Sequence, residues 1–547
     1  MIINRKNIQS VVFLYIGIFA ISIFYRFYNL DKRGYFPRSD APAYAGIIKT
    51  YRASLDYIIN GVVLKRAIGS MNDYLYENGG QFGSIAKDGL IPIGLIGSII
   101  FGNKINTMLY ISAFFGVLTV MLIFYMLSKN LNLFLSFIIA LMFAVSPYHI
   151  GFSREGLTVT LASFFLLAGI YLYIRSLQCS SFGYLYFCGI ALGFGFLCHY
   201  NIVPFIFVLF VSEVWHFLVK RSNFKRIPVL FFSTLLPLLL ADIFTRIMKF
   251  YGVMQHIKMI EKFQPFFNTL RIQLMEVQSG GSDINQGFFY YFKNLFYHEG
   301  IIVCILFIAA ILIILRRGVK FDSGIGYFLV SMFILPFFYF LKLQHNIADR
   351  AILSFIPLGY FIIGYGFKNL NKNKILVVLA IITAVSINSV RSLDYFNYRS
   401  NFEQPVNYMR QNKGAKLVTV ASTWSLARLY VGRKNVAECS EPPFVEKFTP
   451  LGKVSYQVNP VSIDKLESLY RDEGYNYLLL NIPLSISNEL TEAAMKIKPE
   501  YSSDTMVCND RGYGYDYALL RDKKAKYVFH FNVYDLGKVL NAMQGKN

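Results

Sequence analysis

Apolar residues in the first 390 positions gather into blocks, most of them close to the roughly 20 residues a helix needs to cross a bilayer. Eleven such blocks can be marked out: Val11–Tyr28, Ile105–Leu127, Leu131–Ser146, Gly156–Ile174, Phe182–Leu197, Ile202–Val219, Ile227–Thr245, Ile301–Leu315, Ile325–Leu341, Ala351–Phe367 and Ile375–Val390. The pattern predicts a polytopic α-helical membrane protein of about eleven spans. The first block follows Arg5 and Lys6, as a signal peptide would. No small-residue cleavage site comes after it and further blocks do, so it is expected to be a retained first span. The third and fourth blocks, on either side of "SPYHIGFSREG", are close enough to form one broken unit.

The polar positions between the blocks are unequal. Arg5, Lys6, Lys129, Arg175, Lys220, Arg221, Lys225, Arg226, Arg316, Arg317, Lys320, Lys368, Lys372 and Lys374 all fall on one side of this topology, which the positive-inside rule makes cytoplasmic. The N-terminus is then cytoplasmic. The other face carries long loops at 29–104 and 246–300, shorter turns, and the chain from 391 to 547. Long loops on one face suggest that the work is done there. In the first of them Tyr44, Ile47, Ile48, Tyr51, Leu55, Ile58, Ile59, Val62 and Val63 recur at helical spacing opposite Lys49, Arg52, Asp56 and Asn60. That predicts an interfacial helix with one face in lipid. "GLIPIGLIGSIIFG" is short and Gly-rich, and is expected to be a re-entrant or surface helix. After the last block, "AKLVTVAS" and "YNYLLLN" read as strands with the helical "SIDKLESLYRDEGY" between them, so 391–547 is expected to be an extracytoplasmic α/β domain behind a membrane domain at 1–390.

Composition sharpens this picture. Of 547 residues 55% are hydrophobic and only 16% charged, against about 25% charged in a soluble protein. That excludes a disordered chain and argues against an ordinary soluble enzyme, leaving an integral protein of the plasma or inner membrane. The net charge of +22 sits in the short loops. With no basic stripe of interleaved aromatics, it points to membrane lipid rather than nucleic acid. The six cysteines form no CxxC pair, so zinc and redox motifs are unsupported. Cys439 and Cys508 lie in the C-terminal region, where either a disulfide or two buried thiols would fit.

Four clusters of charge at the outer boundary can carry chemistry, since charge placed there is costly and needs a reason. In "FPRSDAPAYAGII", Asp40 is either the cap of the interfacial helix, with Pro42 in its first turn, or a base at the membrane surface; one residue can be both. In "SPYHIGFSREGLTV", Pro147 ends one span and Ser153 is placed to cap the next. Arg154 and Glu155 would then stand in its first turn, either meeting the helix dipole or completing a site with Asp40. In "KLQHNIADRAILSFIPLG", Lys342, His345 and Arg350 place positive charge at headgroup depth, for snorkelling or for the phosphate of a specific lipid. The loop 246–300 mixes Lys249, His256, Lys258, Lys262 and Arg271 with Phe263, Phe266 and Phe267, which suits a membrane anchor or a lid over an amphiphile.

With these stretches in hand, the chain resembles the GT-C membrane glycosyltransferases, in the branch of protein O-mannosyltransferases and lipid A aminoarabinose transferases. That branch carries Asp-Glu-x-x-Tyr after the first span; here "DAPAY" keeps Asp40 and Tyr44 and has Ala41 for the glutamate. "KDGLIPIGLIGSIIFG" keeps Lys87 and Phe101-Gly102 without the family's double proline, and "SPYHIGFSREG" is similar to a Gln-Glu-Ala-Arg variant, with Glu155 as its acid and Arg154 for its glutamine. The resemblance implies sugar transfer from a polyprenyl-phosphate donor to a hydroxyl on a protein, lipid or glycan at the extracytoplasmic face, inverting the anomeric centre in a single displacement. It implies Asp40 as catalytic base and Glu155 as its partner, Arg350, Lys87, Arg271 and His345 around the donor phosphate, and Tyr44 and Arg154 at the substrate. A divalent metal held by Asp40 and Glu155 is a further option. The rival classes are a flippase of lipid-linked sugars, which would favour charges near the membrane midplane, and a non-catalytic assembly protein. The Trp-Trp-Asp motif of oligosaccharyltransferase catalytic subunits is missing, "STWSLARLY" offering only Trp424.

Overall fold

The structure is a computed structural model that describes residues 5–35, 41–63, 74, 89–102, 104–219, 223–250, 290–317, 325–342, 352–368, 374–397, 399–412, 414–419, 421–438, 463–482, 489–507 and 527–545. Every one of the eleven apolar blocks falls on helix. In chain order the helices are α1 Arg5–Phe27, α2 Ala41–Tyr57, α3 Leu90–Ile100, α4 Thr107–Ser128, α5 Leu133–Ala144, α6 Pro147–Ser153, α7 Thr158–Gln178, α8 Phe182–Cys198, α9 Val203–Leu218, α10 Arg226–Phe250, α11 Tyr290–Glu299, α12 Ile301–Arg317, α13 Ile325–Lys342, α14 Phe355–Gly366 and α15 Lys374–Leu393. Among the described residues five helices are long and apolar enough to cross a membrane, and a sixth span arises if the bent pair α5–α6 counts as one. The shorter apolar helices include α1, α8, α12, α13 and α14.

The break expected around "SPYHIGFSREG" lies one helix earlier than the sequence placed it. Asn132 caps α5 by accepting from the Leu135 N–H, and α5 stops at Ala144. Ser146 then caps α6 by accepting from the His149 N–H, with Pro147 in the first turn of α6 rather than at the end of a span. The two helices meet at 57°. Ser153 does not cap α7: it closes α6 and turns its hydroxyl back to the His149 carbonyl at 2.6 Å. Arg154 and Glu155 therefore stand in the connecting turn, and α7 starts at Thr158.

Close helix packing depends on small residues, as in membrane interiors where backbones approach to gain van der Waals contact. Along α8, a Cβ on Gly193 would stand 2.4 Å from the Thr234 carbonyl oxygen and 2.9 Å from Pro237 Cγ of α10. Backbone cannot swing aside as a side-chain tip can, so Gly193→Val is expected to overpack this seam. The predicted cost is about 3 kcal/mol, read as a lower unfolding temperature in detergent.

The amphipathic helix of the first loop is present as α2, continued by a π-helical turn Ile58–Val63. The first half of its apolar face is covered by protein, while Ile59 further along is exposed. Tyr44, Ile47, Ile48 and Tyr51 are buried, and Ile48 fills the space over Gly94 of α3. α3 is the short apolar helix expected in this loop; it leaves Ile96, Ile99 and Ile100 exposed on the face away from α2.

After α15 come α16 Glu403–Arg410, β1 Leu417–Thr419, α17 Ala421–Val431, β2 Val436–Glu438, α18 Ile463–Arg471, β3 Tyr477–Ile482, α19 Glu489–Met495, β4 Tyr501–Val507, β5 Tyr527–Asp535 and α20 Leu536–Met543. The strands form one sheet in the order β2-β1-β3-β5-β4. β1 runs parallel to β2 and β3, while β5 is antiparallel to β3 and β4. Both predicted strands and the helix between them are there, with Leu478 and Leu480 of β3 packed on Leu466 of α18. Cys439 and Cys508 lie outside the described residues; Cys179, Cys188, Cys198 and Cys304 are free thiols.

Candidate functional site

The site is built where the first helix leaves the bundle. Asn29 turns the chain away from α1 with φ +55°, a left-handed conformation that asparagine tolerates. Beyond it Leu30, Arg33 and Tyr35 are buried. Asn106 donates to the Asp31 carbonyl at 2.9 Å, and the Tyr35 hydroxyl donates to the Ile105 carbonyl at 2.9 Å. The segment leading to position 36 is therefore fixed against the start of α4. Residues 36–40, Asp40 among them, lie outside the described residues, and the chain resumes at Ala41 as α2.

The turn after α6 meets both ends of that stretch. Gly156 adopts φ +75°, and a Cβ there would stand 3.3 Å from Tyr35 Cε1 and 3.4 Å from Ala41 Cβ. Glu155, one residue earlier, pairs with Arg33 at 3.6 Å, with the two side chains 10% and 2% exposed. The residues that bracket 36–40 thus border the space over the glycine next to Glu155.

Three buried arginines surround this turn. Arg154 sends Nη1 to the Tyr25, Arg26 and Tyr28 carbonyls at 3.2, 3.2 and 2.9 Å. It thereby caps the C-terminus of α1, where the helix dipole favours a cation. Its guanidinium also lies under the Phe396 ring, 5.2 Å from the centroid. Arg26 donates to the Ala144 carbonyl at 3.0 Å and to His149 Nδ1 at 2.9 Å, which ties α1 to the break between α5 and α6. Burial, and then the charges of Arg33 and Arg26, lower the Arg154 pKa from its usual value. Among the described residues, the carboxylate of Glu155 and the carbonyl ends of α1 and α5 are negative groups that offset these cations.

A second buried acid supports the break from behind. Glu299, the last residue of α11, accepts from the Ser146 hydroxyl at 2.6 Å and from the Tyr360 hydroxyl at 2.5 Å. Asn388 donates to its carbonyl at 3.1 Å. Arg391 donates to the neighbouring Tyr297 carbonyl. One residue therefore joins the cap of α6 to α11, α14 and α15. Another buried pair, Arg226–Glu213 at 2.7 Å, joins α9 and α10, with Arg226 also on Ser176 of α7; it is remote in sequence from the turn and holds helices together.

The predicted residues fall as follows. Glu155 stands beside the residues that flank Asp40. Tyr44 is buried in the first turns of α2, one face of which meets α3 and α17. Arg154, expected at the substrate, is fully buried; its Nη1 meets the α1 carbonyls and its guanidinium meets Phe396, while among the described residues its Nε and Nη2 have no hydrogen-bond partner. Asp40, Lys87, Arg271, His345 and Arg350 lie outside the described residues. Among the described residues no group of three or more His, Cys, Asp or Glu could hold a metal ion, and Asp40, one of the two carboxylates considered for one, lies outside them. The sequence reading missed Arg26, Arg33 and Glu299. The signal was there: Arg26 interrupts an apolar run, and Glu299 stands at the mouth of another, and charge in such places needs a reason.

Residues 93–243 match a family model described as dolichyl-phosphate-mannose-protein mannosyltransferase. No curated protein matches the chain in sequence. Among solved structures the chain is similar to ArnT from Cupriavidus metallidurans bound to undecaprenyl phosphate, with TM-score 0.55 and 12% identity over 95% of this chain and 98% of that one. It also aligns with the apo Archaeoglobus fulgidus oligosaccharyltransferase at TM-score 0.49 and 12% identity, over 88% of this chain and 71% of that one. The chain has the GT-C fold of membrane glycosyltransferases. The family match spans α3 to α10.

Proposed function

We propose that this integral membrane protein transfers a sugar from a polyprenyl-phosphate donor to a hydroxyl acceptor on the extracytoplasmic face. The observation that carries the reading is the meeting of Tyr35 and Ala41 at Gly156, which brings the two shoulders of residues 36–40 to the turn that holds Glu155. The family description and the undecaprenyl phosphate bound by the ArnT neighbour support a donor of that class. In this reading residues 1–390 form the membrane domain, 391–547 form an extracytoplasmic domain, and the N-terminus is cytoplasmic.

A hydroxyl is a poor nucleophile at neutral pH. Asp40 accepts its proton as the oxygen attacks the anomeric carbon; the bond from that carbon to the phosphate oxygen breaks, and the lipid phosphate leaves with the electron pair. A single displacement inverts the anomeric centre. Cations at Arg350, Lys87, Arg271 and His345 meet the charge that grows on the leaving phosphate. Glu155, held by Arg33, orients the acceptor. The acceptor is a protein, lipid or glycan hydroxyl.

The test is incubation of membranes containing the protein with a labelled polyprenyl-phosphate sugar. Label appearing on an acceptor is the expected result; label that only crosses the bilayer would replace this reading with a flippase. In the same assay Arg350→Ala is expected to raise the donor KM by about tenfold, in keeping with the loss of a charge-assisted phosphate contact, with the acceptor KM unchanged. A change confined to the acceptor KM would remove Arg350 from the donor phosphate.

A further inference from the structure

A cluster of tyrosines and cations stands at the other end of the bundle, and sugar transfer makes no use of it. α4 starts beside Gly156, whose added Cβ would meet Leu109 at 3.1 Å. Its 22 residues span about 33 Å, so its end lies about a bilayer's thickness from the Glu155 turn. α4 and α7 pack together in the same direction. Near their starts Phe115 meets Phe164 and Phe165, with ring centroids at 5.3 and 5.7 Å. Near their ends Tyr125 meets Tyr171 edge-on at 5.5 Å. The end of each helix carries the same pair, a tyrosine followed four residues later by a cation: Tyr125 with Lys129, and Tyr171 with Arg175. Residues four apart share a helix face, so the contact between the tyrosines sets both cations along one seam. Lys129 Nζ lies over the Tyr125 ring, 5.3 Å from its centroid, and the Arg175 guanidinium lies over the Tyr184 ring of α8 at 5.8 Å, both within the roughly 6 Å of a cation–π contact. Lys129 is exposed, and Tyr125 and Tyr184 are 39% and 37% exposed. The rings hold the charges without covering them.

These two cations differ from the buried ones. Arg154 meets the carbonyls of α1 and Arg226 meets Glu213. Among the described residues neither Lys129 nor Arg175 pairs with a carboxylate; Arg175 donates to Gln178 Oε1 at 3.1 Å. A cation at a helix C-terminus complements the dipole, which accounts for charge at these positions but not for the tyrosines around it. Tyrosines of membrane proteins gather at headgroup level, and here three of them, from α4, α7 and α8, mark that level. The anion met there is a lipid phosphate, and basic pockets between spans take anionic headgroups. We propose that Lys129 and Arg175, framed by Tyr125, Tyr171 and Tyr184, bind the phosphate of an anionic glycerophospholipid in the leaflet away from the Glu155 turn. In the topology proposed above this is the cytoplasmic leaflet. Two cations without a carboxylate favour an anionic headgroup over a zwitterionic one, whose ammonium would be repelled by the second cation. Phe182 and Phe187, exposed on the same helix as Tyr184, offer apolar surface to the acyl chains.

The test reads binding without turnover, so its failure leaves the proposed transfer reaction untouched. Full-length protein in detergent is titrated with phosphatidylglycerol or with phosphatidylcholine. Bound lipid is counted by native mass spectrometry, and stabilisation is followed as the unfolding temperature. Phosphatidylglycerol is expected to bind more tightly and to raise the unfolding temperature further. The double variant Lys129→Gln with Arg175→Gln is expected to bind it about 25-fold more weakly, about fivefold for each cation at a membrane surface, with its response to phosphatidylcholine unchanged. Lys496→Gln with Lys498→Gln removes the same charge from exposed positions in the C-terminal region and is expected to keep the native affinity. Equal responses to the two lipids, undiminished affinity in the first double variant, or an equal loss in the second overturns the proposal. The same stabilisation by millimolar inorganic phosphate makes the pair a site for a free anion and overturns the lipid assignment. If the first double variant does not fold, the native protein decides: a photoactivatable phosphatidylglycerol is expected to label peptides containing residues 125–129 or 171–187, and label found only elsewhere overturns the site.

Discussion

Asp40→Asn is expected to lower sugar transfer by about 10²–10⁴-fold, the range for removing a general base, while the protein still inserts and folds. The substitution is chosen because asparagine and aspartate serve about equally well as helix caps. It keeps whatever cap position 40 provides to α2, which begins at Ala41, and removes only the carboxylate that can take a proton. Asp40→Ala loses both, so it is expected to be equally inactive and also less stable by about 1 kcal/mol. The two variants together separate the roles that the sequence leaves superimposed. Transfer rates measured with a labelled lipid-linked sugar, normalised to folded protein, give the first comparison; unfolding temperatures give the second. Near-normal transfer by Asp40→Asn would remove Asp40 from the reaction.

Glu299→Ala is the substitution expected to cost most in stability, about 2–5 kcal/mol, since two buried hydroxyls left without an acceptor cost about 1–3 kcal/mol each. The hydroxyls are those of Ser146 and Tyr360. Glu299→Gln is expected to lose less, because its amide oxygen still accepts one hydroxyl and its amide nitrogen can donate to the other. Thermal unfolding in detergent distinguishes the two. Equal unfolding temperatures for the native protein and Glu299→Ala would show that the α6 cap, α11, α14 and α15 do not depend on this residue. Because Ser146 caps the helix that ends at Arg154, transfer is expected to fall along with stability.

The helical blocks were legible because membrane helices need long apolar runs, and each of the eleven stretches is helical. Periodicity also found α2, but not its neighbours. A period of 3.6 says that one face is apolar and does not say what covers that face; Tyr44, Ile47 and Ile48 are buried on a helix that packs against α3, α4 and α17. Ser153 reads as a cap because serine often is one, yet Ser146 with Pro147 behind it had the better signature and is the cap the structure uses. Glu155 was visible as an acid in a polar turn. Its partner Arg33 was not, since the pair spans more than a hundred residues and no local pattern links them. Arg154 illustrates the same limit: its contact with the open carbonyls at the end of α1 joins residues far apart in the chain, and no local pattern announces it. Sequence locates charges that need a reason, and tertiary contact supplies the reason.

The capping of α1 by Arg154 also sets an order of assembly. Tyr28 and the arginine that meets its carbonyl are 126 residues apart, so a ribosome delivers the first span long before it delivers the group that finishes it. Through that interval the last carbonyls of the span must find water at the bilayer edge. Its final turn locks only when the turn after α6 has emerged and folded back beside it. Phe396 arrives later still and closes over the same guanidinium. Helix α1 is thus completed only after much of the bundle has been made, and a nascent chain stalled before residue 154 would carry it frayed at its exit.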